Sequence, residues 1–304
     1  MLTPTLILAA ILTLLPLLAA AFFTPTLATR TQSLPLPARL FLPALLSIPY
    51  LLVTLPTGDF RWPWLALYTL LPIAVAALLT QAARLDPNQR SNWRDFLVLA
   101  VLGLAVDLRW FEPAWPPNLA VFNKMLLLDT GIYGFLCIRR LEGVGFDLRL
   151  RLRDAAIGLR EFALYAPIAI ALGLALGFLH FHPTWPRPTQ LAEAYLYTFL
   201  FIAIPEELFF RGWLQNLLQR RFARASAHRF ARFNAGRTPA LILTAILFGL
   251  SHFNKRAAYF NWRYVLLAAI AGIFYGRAWR ANHRIAASAI THATVDTLWS
   301  LWLR

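Results

Sequence analysis

The chain has 304 residues, 59% of them apolar and only 14% charged, where a soluble domain carries about 25%. This excludes an ordinary soluble globule and a disordered chain, and the single cysteine, Cys137, rules out an internal disulfide scaffold. The 29 basic residues outnumber the 14 acidic ones by 15, an excess that suits either a nucleic acid or the loops of a membrane protein.

A spanning helix needs about 20 apolar residues. Residues 1–29 contain no charge, and no basic stretch precedes the run, so the spacing predicts a retained helix and not a signal peptide. Further apolar blocks follow at 40–58, 62–83, 118–138, 162–186, 191–211, 239–252, 264–276 and 285–303, with a short one at 96–106. These predict an all-α polytopic transmembrane bundle of nine spans, or ten if the short block crosses.

If all ten cross, the loops at 24–39, 84–95, 139–161, 212–239 and 277–284 share one side and hold 20 of the 29 basic residues. The opposite loops hold 7, and Lys124 and Arg211 fall inside the blocks. Such a split follows the positive-inside rule. It puts 212–239 in the cytoplasm and the N-terminus outside. The arginines from Arg220 to Arg237 are read as a topology determinant against anionic headgroups; no nucleic-acid module is evident, and no nucleic-acid partner is expected. The arginine-rich, lysine-poor composition points to a bacterial inner membrane. Residues 146–153 alternate apolar and charged, so 141–161 is read as an interfacial linker. It separates an N-terminal bundle, 1–140, from a C-terminal unit, 162–304.

Ionisable groups inside apolar blocks are costly and face a partner or a cavity. Lys124 and Asp129 lie five apart, about 140° around a helix, and read as structural; Glu193 reads as an interfacial end residue. The C-terminal unit is richer. Glu206 and Glu207 are adjacent and point about 100° apart. Glu207 and Arg211 share a face at i, i+4 with the acid first, the favourable order, which leaves Glu206 to face another helix. His252 closes the block 239–252, and His292 and Asp296 share a face at i, i+4. Marking a helix end is the plain alternative for each alone. Together they resemble a site built from inward side chains of a bundle.

A carboxylate beside a histidine can activate water, and polar groups opposite can stabilise an oxyanion. Two histidines and a carboxylate also form an acceptable zinc set with an open position, with His252, His292, Glu206 and Asp296 as the ligands on offer. No HExxH motif occurs, and Ser251 beside His252 is poorly placed as a nucleophile. By depth, Glu206 lies about 9 Å from a helix end near Gly212 and His292 about 10 Å in from Ile285, but His252 lies about 20 Å from Pro239. The three meet only if the helix starts are offset.

The segment EELFFRG at 206–212 resembles the EExxxR motif of the CAAX protease and bacteriocin-processing (CPBP, or Abi) family of intramembrane endopeptidases. Phe248 to His252 resembles its FxxxH motif, and His292 to Asp296 its HxxxN or HxxxD motif. The resemblance covers roughly 160–304. It implies Glu206 as general base, His252 as water-positioning residue, His292 and residue 296 as oxyanion stabilisers, and Glu207, Arg211 and Phe248 in support. It also implies a membrane-associated peptide or protein substrate, and either zinc or metal-free glutamate catalysis. Residue 296 is Asp where the eukaryotic CAAX endopeptidases have Asn. The expected activity is peptide-bond hydrolysis near the cytoplasmic face. A non-catalytic immunity or scaffold protein of the same family and a proton-coupled transporter are the alternatives.

Overall fold

The computed structural model describes residues 3–226, 237–255 and 260–303. Regular structure among them is entirely helical. Residues 227–236 of the basic stretch, with His228, Arg229 and Arg232, lie outside the described residues. The chain divides into two units, Met1–Glu142 and Gly143–Arg304.

The N-terminal unit contains α1 (Pro4–Ser33), α2 (Leu36–Thr57), α3 (Trp62–Leu85), α4 (Trp93–Asp107) and α5 (Pro117–Ile138). Prolines sit in the first turns of α1 to α3, where a missing N–H costs nothing. Asn92 and Asp95 form a reciprocal capping box that starts α4. At 15 residues, α4 is about 22 Å long, short of the ~30 Å hydrocarbon core. Lys124 is exposed and Asp129 is buried, so the two do not pair. The core includes a run of aromatic rings, Tyr50, Tyr68, Trp115 and Phe122, with the Trp115 indole donating to the Tyr68 hydroxyl at 2.6 Å.

The C-terminal unit contains α6 (Leu152–Ala175), α7 (188–226), α8 (Arg237–Leu250), α9 (Trp262–Asn282) and α10 (Ile285–Trp302). Of the expected linker, residues 141–151 lie outside a helix and 152–161 belong to α6. Asp154 accepts the Arg151 N–H at 3.0 Å and starts α6 ten residues ahead of the apolar block, where a carboxylate also suits the helix dipole. Arg284, just before α10, then bonds Asp154, Asp147 and the carbonyls of Asp147 and Arg149. Gly145 has φ +73°, and any Cβ there would overlap the His283 carbonyl oxygen. That glycine lets the 143–151 segment lie against the turn that aims α10.

By length and composition, α1, α2, α3, α5 and α6 can cross a membrane, and α8 is a shorter apolar helix. The protein is an integral membrane protein. α7, α9 and α10 fall outside that group because their polar side chains lower the mean hydropathy.

Two findings revise the sequence reading of α7. The helix does not end near Gly212 but continues to Ser226, so Glu206 and Glu207 lie in mid-helix. It also holds two π-helical stretches, Phe199–Ala203 and Leu208–Gln215, with one α-turn, Ile204–Glu207, between them. Pro205 lacks the N–H an α-helix needs, and a widened turn before it absorbs the defect. Such π stretches favour functional sites.

α8 and α9 approach closely along a glycine seam. A Cβ at Gly249 would lie 2.5 Å from the Val265 carbonyl oxygen, and one at Gly276 would run into Leu241 and Gln215. The start of α8 is thus level with Gln215, beyond Gly212, whereas Gly212 itself faces Val144 and Ile285. From that level Glu206 and His252 lie nine and eleven residues along their helices, about 14 and 17 Å. The offset lets the residues meet.

Candidate active site

α7 delivers two carboxylates in different directions. Glu207 is fully buried and acts as a hub. Its Oε1 accepts from His292 Nδ1 at 2.8 Å, its Oε2 takes the Ser288 hydroxyl, and Arg211 Nε lies 3.2 Å away. Arg211 is also fully buried; its Nη2 donates to the Gly272 carbonyl at 3.0 Å, and its guanidinium lies over the Phe248 ring at 4.6 Å. Glu206 is partly exposed. Its carboxylate lies 4.0 Å from His292 Nε2 and 3.7 Å from Lys255 Nζ.

α10 presents Ser288, His292 and Asp296 at four-residue spacing on one face. Ser288 bonds Glu207 and donates to the Tyr275 carbonyl at 2.8 Å. His292 has Glu207 at Nδ1, and Asp296 Oδ2 lies 3.4 Å from its Nε2. Its ring stacks on Tyr275 at 4.6 Å with planes 15° apart, and Phe248 meets it edge-on at 5.7 Å.

His252 lies in the turn that ends α8. Its Nδ1 is held by the Phe248 carbonyl at 2.8 Å and by the Ser251 hydroxyl at 3.2 Å. Ser251 also donates to that carbonyl, so it supports the turn. Asn261 caps α9 by accepting the Tyr264 N–H, and it donates its backbone N–H to the Phe253 carbonyl at 2.9 Å and its side-chain amide to the Lys255 carbonyl at 3.2 Å. That clamp sets His252 and Lys255 beside the site.

Beneath these groups lies a cavity of about 110 Å³, lined by His252, His292 and Asp296 at its polar end and by aromatic residues such as Phe162, Tyr264 and Trp299 elsewhere. An apolar cavity with a few converging polar groups suits a ligand.

The structure brings Glu206, Glu207, Arg211, Phe248, His292 and Asp296 into one contact network and sets His252 against Phe248 and the cavity. The zinc set is different. Among the described residues no group of three or more His, Cys, Asp and Glu is arranged to hold a metal ion. Nδ1 of each histidine is held by an oxygen, which leaves Nε2 of each as the atom that faces a ligand. Three contributors escaped the sequence reading. Ser288 could have been found from the 288, 292, 296 spacing, and Lys255 from its place three residues after His252. Tyr275 sits in an apolar block with nothing to mark it.

Residues 188–298 match the family of Type II CAAX prenyl endopeptidase Rce1-like proteins. The matched stretch starts with α7 and holds every residue of the three motifs. Over this stretch the C-terminal unit is similar to the Type II CAAX prenyl endopeptidase Rce1-like proteins. No curated protein and no solved structure matches the chain.

Proposed function

We propose that the protein is an intramembrane endopeptidase that hydrolyses a peptide bond of a membrane-associated peptide or protein. The observation that carries this reading is the position of His292 Nε2, 4.0 Å from Glu206 and 3.4 Å from Asp296 at the polar end of an apolar cavity. Glu206 accepts the proton of a water that His252 orients, and the water oxygen attacks the scissile carbonyl. The carbonyl becomes an oxyanion, steadied on the His292 side. Glu206 then returns the proton to the leaving amine as the C–N bond breaks. Glu207 acts through His292 and Arg211 as a positioning residue.

The cavity holds the apolar part of the substrate, and the bilayer is the medium from which it enters. The arginine distribution favours a site opening toward the cytoplasmic face of a bacterial inner membrane, with no nucleic-acid partner. The metal-free mechanism is preferred because, among the described residues, no three of the His, Cys, Asp and Glu side chains are grouped to hold a metal ion, whereas Glu206 alone can take the proton of a water.

The test uses purified protein in liposomes with internally quenched peptides, one set ending in a farnesylated CAAX tail and one unprenylated library. Glu206→Gln is expected to lower cleavage at least 1,000-fold, within the range of lost acid–base catalysis, with His252→Ala and His292→Ala close behind. Full cleavage by all three variants overturns the assignment and favours a non-catalytic membrane protein.

A further inference from the structure

We propose that Tyr275 is a further catalytic residue, whose hydroxyl donates a hydrogen bond to the scissile carbonyl oxygen as it becomes the oxyanion. This rests on the peptidase reading above.

Attack by water places negative charge on the carbonyl oxygen, and donors aimed there are usually the largest single contribution to the rate. The motif residues offer few. His252 Nδ1 is held by the Phe248 carbonyl, and His292 Nδ1 by Glu207. His292 Nε2 is flanked by the carboxylates of Asp296 and Glu206, which compete for any proton it carries. An ionised Asp296 can only accept. Arg211 is sealed behind Phe248, committed to Glu207 and the Gly272 carbonyl.

Tyr275 comes from α9, outside all three motifs. It is 1% exposed and lines the cavity together with His252, His292 and Asp296. Its placement is fixed on three sides: His292 stacks on its ring, Phe248 packs edge-on at 5.7 Å, and Ser288 bonds its backbone carbonyl. The neighbouring wall residue Tyr165 spends its hydroxyl on the Leu267 carbonyl at 3.1 Å. The Tyr275 hydroxyl has no hydrogen-bond partner among the described residues. A buried hydroxyl without a partner costs stability, and a carbonyl bound at this end of the cavity would satisfy it. The proton stays on Tyr275 throughout. Glu206 carries the transferred proton from water to amine, so the step balances without a further acid.

The experiment compares Tyr275→Phe with wild type and Glu206→Gln on the peptide that wild type cleaves in liposomes. Tyr275→Phe keeps the ring and its stacking on His292. It is expected to lower kcat about 100-fold while KM stays within about twofold. It should also weaken a peptide whose scissile bond is replaced by a phosphinate, a mimic of the tetrahedral intermediate, by a similar factor. Wild-type kcat in Tyr275→Phe with an inactive Glu206→Gln overturns the role of Tyr275 and leaves the peptidase reading standing. Full activity in Glu206→Gln overturns both. Should Tyr275→Phe melt early, 3,5-difluorotyrosine at 275 replaces it: a changed pH–rate profile supports the proposal, and an unchanged one overturns it.

Discussion

Arg139 in the N-terminal unit and Arg211 in the C-terminal unit are both sealed from solvent, but their bonds are distributed differently. Every nitrogen of the Arg139 guanidinium is engaged: Nε with Asp95 at 2.9 Å, Nη2 with Asp86 at 2.6 Å, and Nη1 with the Asp86 carbonyl at 2.9 Å. Arg211 bonds one carbonyl and pairs with Glu207, and its Nη1 has no hydrogen-bond partner among the described residues. Glu207 in turn divides itself among Arg211, Ser288 and His292. A charge whose partners are all used acts as a fastener between helices. A charge shared along a chain of partners that ends at a cavity can influence what binds there.

The contrast can be broken by substitution. Arg139→Leu leaves Asp86 and Asp95 without their cation, and losing one partner of a buried pair costs roughly 3–5 kcal/mol. It is expected to lower the unfolding free energy of the full chain in detergent while cleavage per folded molecule stays at the wild-type rate. A selective loss of kcat would mean that Arg139 is no mere fastener. Ser288→Ala should do the reverse. It strips one bond from Glu207 and one from the Tyr275 carbonyl at about 1–3 kcal/mol, and kcat should fall about tenfold, roughly the 1.4 kcal/mol that separates decades of rate. If only the melting temperature moves, Glu207 belongs with Asp95.

The smallest expected effect is with acid. Burial pushes the Asp147 carboxyl up, but the Arg149 N–H and the Arg284 guanidinium outweigh it and hold it below the usual carboxylate range. A depressed folded value contributes stability above the unfolded value near 3.9 and loses it as pH falls through the folded one. Melting curves should show wild type losing stability below about pH 4, and Asp147→Asn losing less. Equal losses would remove Asp147 from the acid response.

The apolar blocks and the acids and histidines inside them were legible because both are local in sequence and costly in hydrocarbon. The extent of α7 was not. Gly212 and the basic run after it imitate a helix end, and a π stretch leaves no periodic trace when only eight residues long. The Arg139 cluster was hidden as well, since its three members are spread from 86 to 139 and each looks like an ordinary loop charge. Tyr275 was invisible for a further reason. Its value depends on stacking against His292 from another helix, which no spacing within α9 encodes.

The glycine seam between α8 and α9 bears on how such a protein tolerates drift. Gly249, Gly272 and Gly276 have no side chain, yet their packing fixes how far α8 slides along α9, and with it the approach of His252 to Tyr264 and of Phe248 to Tyr275. A lineage could lose the activity through one added methyl group at Gly276, whose close neighbours are Leu241 and Gln215, with every motif residue intact. Counting motif letters would then score a dead protein as a living one.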